Sequence, residues 1–186
     1  NVSTGDKREL YQPQTQLGCP VTNPSGKTVA VLESLCSDRG IIAGNLMLLD
    51  VPSGAVQCIA SDNTDIACAQ WQSETVLCVA GLRGRETVVA YYDASTDVYT
   101  TTWCSDQIAC ARYPVIAPLT LDQKNAHRPG DCVMIGEGFM RAPEIAQIRS
   151  ERYEPLVTFD YGYAKLADQM IKSVEAIRWK APDGLD

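Results

Sequence analysis

Apolar residues in this chain fall in short runs rich in Val, Ile, Leu, Thr and Tyr, and clusters of Gly, Pro, Asn, Asp and Ser separate them. This rhythm predicts strands and turns, because strand runs are short and Gly, Pro, Asn and Asp punctuate them. "KTVAVLES" (27–34), "GNLMLLDV" (44–51) and "AVQCIAS" (55–61) form a first set, with turns at Pro24-Ser25-Gly26 and Pro52-Ser53-Gly54. "ETVLCVAGL", "ETVVAYYD" and "DVYTTTW" form a second, with turns at Arg83-Gly84-Arg85 and at Asp93-Ala94-Ser95-Thr96. A looser third set is "DCVMIGEGF", "EIAQIRS" and "PLVTFDYG". Helical periodicity is nearly absent, and the best helix candidate is a turn or two at Ala164 to Met170.

The sets superimpose on one another. Val29-Ala30-Val31, Val76-Leu77-Cys78-Val79 and Val133-Met134-Ile135 each open one, at separations of about 47 and about 57 residues, and Asp50 and Asp93 close matching second strands. Apolar residues at consecutive as well as alternate positions, as in "NLMLLDV", predict sheets covered on both faces. Radial stacking of such sheets as the blades of an antiparallel β-propeller buries both faces and leaves short edges. The expected fold is therefore all-β, with about three blades of an incomplete propeller. The alternative is a β-sandwich with similarly spaced strands.

Composition narrows the function classes. The 186-residue chain carries a formal charge of -7, which gives no field to attract nucleic acid or an anionic membrane surface. No stretch reaches the apolar length of a membrane span, and "NVSTGDKREL" lacks the apolar core of a signal peptide. Any targeting segment is expected to have been removed or to lie outside this chain. A cytoplasmic location is the working expectation, while the sequon Asn1-Val2-Ser3 keeps an exported one open.

Among eight cysteines, Cys58, Cys78 and Cys132 lie inside apolar runs, where a thiol behaves as a small hydrophobe. Cys19, Cys36, Cys68, Cys104 and Cys110 lie nearer turns. With no CxxC pair and a single histidine, buried or free thiols are expected; a disulfide stays open, and zinc would need an unusual ligand set. No GxSxG nucleophile turn is present, so no catalytic residue is assigned. His127, beside Asp122 or Asp131, is read as a solvated loop residue, since base, nucleophile and orienting group must all be found. "GLRGRE" lacks the lysine and hydroxyl of a phosphate loop and reads as a hairpin turn. Arg83 and Arg85 are candidates to hold an acidic partner there, because a guanidinium forks a carboxylate well. Glu144, Asp62 and Asp65 are candidates as exposed carboxylates, and Trp71, Trp103 and Trp179 as packing anchors between sheets. No cofactor and no metal is assigned.

The C-terminal "IRWKAPDGLD" reads as half a hairpin: Ile177 and Trp179 alternate with Arg178 and Lys180, and Pro182-Asp183-Gly184 supplies the turn. With it, a family resemblance emerges. "CPVTNPSGKTVAVLES" resembles the opening of blades in the prolyl oligopeptidase family of serine peptidases, which includes dipeptidyl and acylaminoacyl peptidases; "GNLMLLDVPSG" resembles the second strand of such a blade. "GEGFMRAPEIAQI", with Ala142-Pro143-Glu144-Ile145, is similar to a last-blade segment, and "VEAIRWKAPDGLD" to the junction where the propeller gives way to the hydrolase domain. Two departures stand out: Gln72-Ser73-Glu74 replaces the usual Pro-Asp-Gly turn in the second repeat, and about three blades are found where the family has seven or eight. Too few apolar positions before Gln16 make 1–16 a lead-in, weakly ordered or an edge strand, and the resemblance implies blades over 17–175 and the start of the junction over 176–186. It also implies a propeller that caps the active site of an attached α/β-hydrolase domain and restricts access to short peptides. The partners would be that catalytic domain and the remaining blades, in the same or a separate chain, and the triad would lie beyond the junction. A free-standing β-rich protein-binding module is the competing expectation. Unpaired blade faces predict that the isolated chain oligomerises or aggregates.

Overall fold

A computed structural model describes residues 3–35, 43–110, 115–121, 126–160, 162–171 and 173–184. Asn1, Val2, Cys36 and Asp122, named above, lie outside the described residues. The strands form three four-stranded antiparallel sheets, each in simple chain order. The first sheet contains β1 (Gln16–Thr22), β2 (Thr28–Ser34), β3 (Asn45–Asp50) and β4 (Val56–Ile59). The second contains β5 (Asp65–Trp71), β6 (Val76–Arg83), β7 (Glu86–Asp93) and β8 (Val98–Ser105). The third contains β9 (Ile116–Pro118), β10 (Cys132–Gly138), β11 (Arg141–Arg149) and β12 (Arg152–Thr158). These are three consecutive propeller blades, called here blades 1, 2 and 3.

The expected strand sets are the outer three strands of each blade. The sequence pattern passed over the first strand of each blade, and β1, β5 and β9 form the inner edge, where β5 packs against both β1 and β9. β1 and β5 are irregular, with register shifts between Gly18 and Val21 and between Ile66 and Cys68. A bulge breaks the alternation that marks a half-buried strand. The expected turns form as read: Arg83 pairs with Glu86 across the tip of the β6–β7 hairpin. Asp50 and Asp93, at matching strand ends, accept the Ser53 amide at 2.8 Å and the Ser95 amide at 2.9 Å. A short carboxylate bonding the backbone just beyond it is what fits Asp to such turns.

The core lies between the blades. Leu32, Leu46 and Leu48 of blade 1 interlock with Ile66, Leu77, Val79, Val88 and Tyr92 of blade 2. On the far face of blade 2, Cys78, Ala80 and Val89 meet Cys132, Met134 and Ile148 of blade 3. Trp71 and Trp103 pack against these two clusters, and the Trp71 indole also donates to the Val21 carbonyl at 3.2 Å. Blade 2 is thus buried on both faces, as its consecutive apolar residues require. Blade 1 turns Val31, Met47 and Leu49 outward, where Leu10 and Tyr11 pack on them. Blade 3 turns Ile135 and Val157 outward, and both are exposed.

Beyond blade 3, the helix α1 (Tyr163–Met170) contacts β11 and closely matches the expected helical turn. The expected half-buried strand at 177–180 does not form. Ile177 is 77% exposed and Trp179 73%, so Trp179 anchors no sheet packing. Alternation alone cannot make a strand where the described residues bring no sheet edge alongside it.

Candidate functional site

On one side of the stack, the turns between first and second strands of the three blades are tied together. Glu74, just before β6, reaches back to blade 1. Its carboxylate accepts the Asn23 side-chain amide at 2.6 Å and the Ser25 backbone amide at 3.1 Å, and the Ser25 hydroxyl also donates to it. Gln72 reaches forward to blade 3. Its amide nitrogen donates to the carbonyls of Leu119, Arg128 and Asp131 at 2.7, 3.1 and 3.2 Å. Its carbonyl oxygen accepts the Gly130 amide at 2.9 Å and the Cys78 thiol at 3.4 Å. At Gln72-Ser73-Glu74, two long polar side chains thus work as clamps in opposite directions, which Pro-Asp-Gly at the same place could not do.

His127 lies in the loop that Gln72 grips. It is half-buried, and its Nδ1 donates to the Thr120 carbonyl at 3.0 Å. The Asp131 carboxylate is spent on backbone, accepting the Arg128 amide at 2.9 Å and the Ser150 amide at 3.0 Å. Asp131 therefore does not orient His127, which lies in a loop as expected but is half-buried rather than fully solvated.

The opposite side carries the candidate contact residues. Arg83 pairs with Asp62 at 2.8 Å and Glu86 at 3.2 Å, and Arg85 pairs with Asp106 at 3.3 Å. Both guanidinium groups are engaged within blade 2 and the chain that enters and leaves it, so an acidic partner has to displace a carboxylate already in place. Asp62, expected as a solvated carboxylate, is one of those partners.

Glu144, expected to be exposed, is instead buried, its side chain only 3% exposed. It sits on the face of β11 that meets blade 2, together with Ala146 and Ile148. A carboxylate is tolerated there because it is fully partnered. Arg141 Nη1 and the Tyr153 hydroxyl each donate to Oε1 at 2.7 Å, and the Thr158 hydroxyl donates to Oε2 at 3.3 Å. Burial first, and the Glu144 carboxylate second, push the Tyr153 hydroxyl well above the ordinary tyrosine range, so it stays a donor. The Tyr153 ring stacks on Trp103 at 5.4 Å, and Arg141 lies 5.8 Å above its centre. Gly136 leaves room for this arrangement: a Cβ there would stand 2.1 Å from the Tyr153 hydroxyl oxygen.

This network fixes Arg141 at the mouth of a groove of about 600 Å³ lined by Phe139, Pro143, Phe159, Ala164 and Ala167. A second groove of about 410 Å³, lined by Arg85, Asp106 and Glu137, meets the first at Phe139, which is 77% exposed at the β10–β11 turn. The arrangement can seat an apolar group beside an oriented cation. Sequence reading missed Arg141 and Tyr153; the available signal was the Arg141-x-x-Glu144 spacing opposite Tyr153 in a hairpin.

The seven described cysteines are free thiols. Burial pushes Cys110 up to about 11 and Cys78 up to about 12, and pushes Cys132 up as well, which keeps them protonated and weakly nucleophilic. Cys58, expected as a small core hydrophobe, is exposed, because the short β4 forms the outer edge of blade 1. Among the described residues, no group of three His, Cys, Asp or Glu side chains is placed to hold a metal ion, and no helix is long and apolar enough to cross a membrane.

No family model matches the chain, and no curated protein does. Solved structures do. An oligogalacturonate lyase in complex with manganese matches with a TM-score of 0.56 at 14% identity, over 88% of this chain and 42% of that one. A puromycin hydrolase mutant complexed with PGG matches with a TM-score of 0.47 at 15% identity, over 95% of this chain and 34% of that one. A puromycin-hydrolyzing peptidase from Mycobacterium tuberculosis matches with a TM-score of 0.34 at 15% identity, over 81% of this chain and 30% of that one. The lyase match, taken with the sheet topology, establishes the fold: the chain is a stack of three β-propeller blades, and it spans less than half the length of each of these three structures.

Proposed function

We propose that this chain is the non-catalytic β-propeller segment of a serine peptidase of the prolyl oligopeptidase class, resembling the acylaminoacyl and dipeptidyl peptidases. In that role it caps the active site of an α/β-hydrolase domain and restricts access to short peptides. The observation that carries the reading is a succession. Three propeller blades, with the blade-opening spelling at Asn23-Pro24-Ser25-Gly26-Lys27, lead into an exposed segment without helix or strand that presents Ile177 and Trp179 beside the junction-like Ala181-Pro182-Asp183-Gly184. Exposed large apolar residues next to one another mark a surface that another unit covers. The catalytic domain is the unit expected to cover them, and further blades are expected on the outward face of blade 3. Physically, the propeller acts as a size filter, admitting a flexible peptide and excluding a folded protein.

The test uses the natural protein captured with an antibody against this segment. A fluorophosphonate probe should label a serine nucleophile in the same polypeptide or in a stoichiometric companion. The labelled material should cleave a short peptide anilide much faster than the same sequence held inside a folded protein. Captured protein with no labelled serine contradicts the proposal. A second reading, a free-standing β-rich protein-binding module, draws support from the cover that residues 8–15 provide for blade 1, which stabilises the stack without an enzymatic partner.

A further inference from the structure

The blade interfaces repeat head to tail. One face of blade 1 meets blade 2, and the far face of blade 2 meets blade 3. By the same repetition, the outward face of blade 3 is a seat for a following blade, and the outward face of blade 1 is a seat for a preceding one. The blade 3 seat is an apolar row across three strands, Ile135, Ile145 and Val157, paired in register. Ile135 is 39% exposed and Val157 48%.

The seat on blade 1 is already taken by the chain itself. Leu10 and Tyr11 pack on Val29, Val31, Met47 and Leu49. Four polar contacts anchor this cover. The Arg8 guanidinium donates to the Val51 carbonyl, and the Tyr11 hydroxyl donates to one Glu33 oxygen. The other Glu33 oxygen accepts the Gln14 amide at 2.8 Å and the Thr15 amide at 3.2 Å. Glu33 is buried at the edge of this apolar face, so it matters what covers it. With residues 8–15 in place its charge is satisfied by the strap; with them gone, Glu33 stands at the edge of the face where water can reach it, and Val31, Met47 and Leu49 lie open to an incoming sheet.

We infer that residues 8–15 are a guard strap that prevents blade 1 from accepting the open blade 3 face of a second copy of this chain. The second copy is the fitting occupant because its blade 3 face stands to blade 1 as blade 1 stands to blade 2. Such docking is heterologous: each added copy presents a new open face, and growth continues unless the ring closes. With the strap seated, only blade 3 faces remain, and two of them meet isologously and stop at a dimer. This holds for the three blades by themselves: where further blades cover blade 3, as the proposed function expects, no blade 3 face is left to dock.

Sedimentation velocity over a range of protein concentrations tests the inference. The wild-type chain should show no species beyond a dimer. The double variant Leu10→Ala, Tyr11→Ala should gain mass with concentration past the dimer, and adding Val157→Lys to it should abolish that growth. A synthetic peptide spanning residues 6–15, added in trans, should also suppress it. Circular dichroism melting establishes that the blades remain folded; should the double variant unfold, Arg8→Ala with Tyr11→Phe removes two of the four polar anchors, unseats the strap and should still grow past the dimer. Wild-type growth past the dimer, a folded strap variant with the wild-type mass distribution, or growth insensitive to Val157→Lys would each overturn the inference.

Discussion

The two outward faces of the stack solve one problem differently. Blade 1 covers Val31, Met47 and Leu49 with Leu10 and Tyr11 from its own chain, whereas blade 3 leaves Ile135 and Val157 in solvent. Each outer blade also holds a buried carboxylate. Glu144 of blade 3 draws its partners from its own sheet and the residues flanking it, Arg141, Tyr153 and Thr158. Glu33 of blade 1 draws its partners from the strap, Tyr11, Gln14 and Thr15. The Glu144 network therefore lasts as long as the blade folds, while the Glu33 network lasts as long as the strap is seated. A propeller blade can carry a permanent polar knot on its packed face and a removable one on its free face.

The sharpest break in that contrast is set by burial. Leu77→Ala, at a fully buried position between blades 1 and 2, should cost about 2–5 kcal/mol in urea denaturation, while Ile145→Ala on the open face should cost about 1 kcal/mol or less. Next comes Glu144→Ala, which strips Tyr153 and Arg141 of their shared acceptor and should lower stability by about 1.5–3 kcal/mol. Tyr153→Phe should cost less than Glu144→Ala, since Arg141 keeps its partner. Gln72→Ala, which removes a partner from the Leu119 carbonyl and the Gly130 amide of the blade 3 loop, should cost about 1–3 kcal/mol and loosen the chain around His127 first, as read by hydrogen exchange over 126–131.

The smallest effect is titration of the strap. The Tyr11 hydroxyl, helped by the Gln14 and Thr15 amides and opposed by burial, holds the Glu33 carboxyl below its ordinary value of 4.5. A folded value below the unfolded one means that the stabilisation is present above the unfolded pKa and is lost as pH falls through the folded one. Proteolytic cleavage within residues 8–15 should therefore accelerate as the pH drops below about 4.5. Tyr11→Phe should remove most of that dependence. Cleavage that is independent of pH in the wild type would show that Glu33 does not latch the strap.

Blades 1 to 3 were legible from three outer strands each, because the second and third strands are buried on both faces or alternate, and turn residues mark where the more exposed fourth strands begin. The inner strands were not, since β1 carries Gly18 and Pro20 at a bulge and β9 spans only Ile116–Pro118. A signal for them existed in the repeated spelling Ile66-Ala67-Cys68-Ala69 and Ile108-Ala109-Cys110-Ala111, the first within β5 and the second ahead of β9, where Ala109 bridges to Glu137 of β10. Glu144 was legible as a residue of interest but not as buried, because a charge looks solvated until its partners, one of them nine residues away on the next strand, are known. Trp179 shows the reverse failure: its alternation suggested a strand, and nothing local reports whether a sheet edge lies within reach.

Hydrogen exchange followed peptide by peptide through the intact chain measures the contrast between the two outward faces most directly. The strap should make β2 and β3 exchange nearly as slowly as β6 and β7, while β12 and then β11 should open first. In the Leu10→Ala, Tyr11→Ala variant, protection should fall in β2 and β3 and stay unchanged in blade 3. Equal exchange from β3 and β12 in the wild type would contradict the claim that blade 1 is closed by its own chain and blade 3 is open.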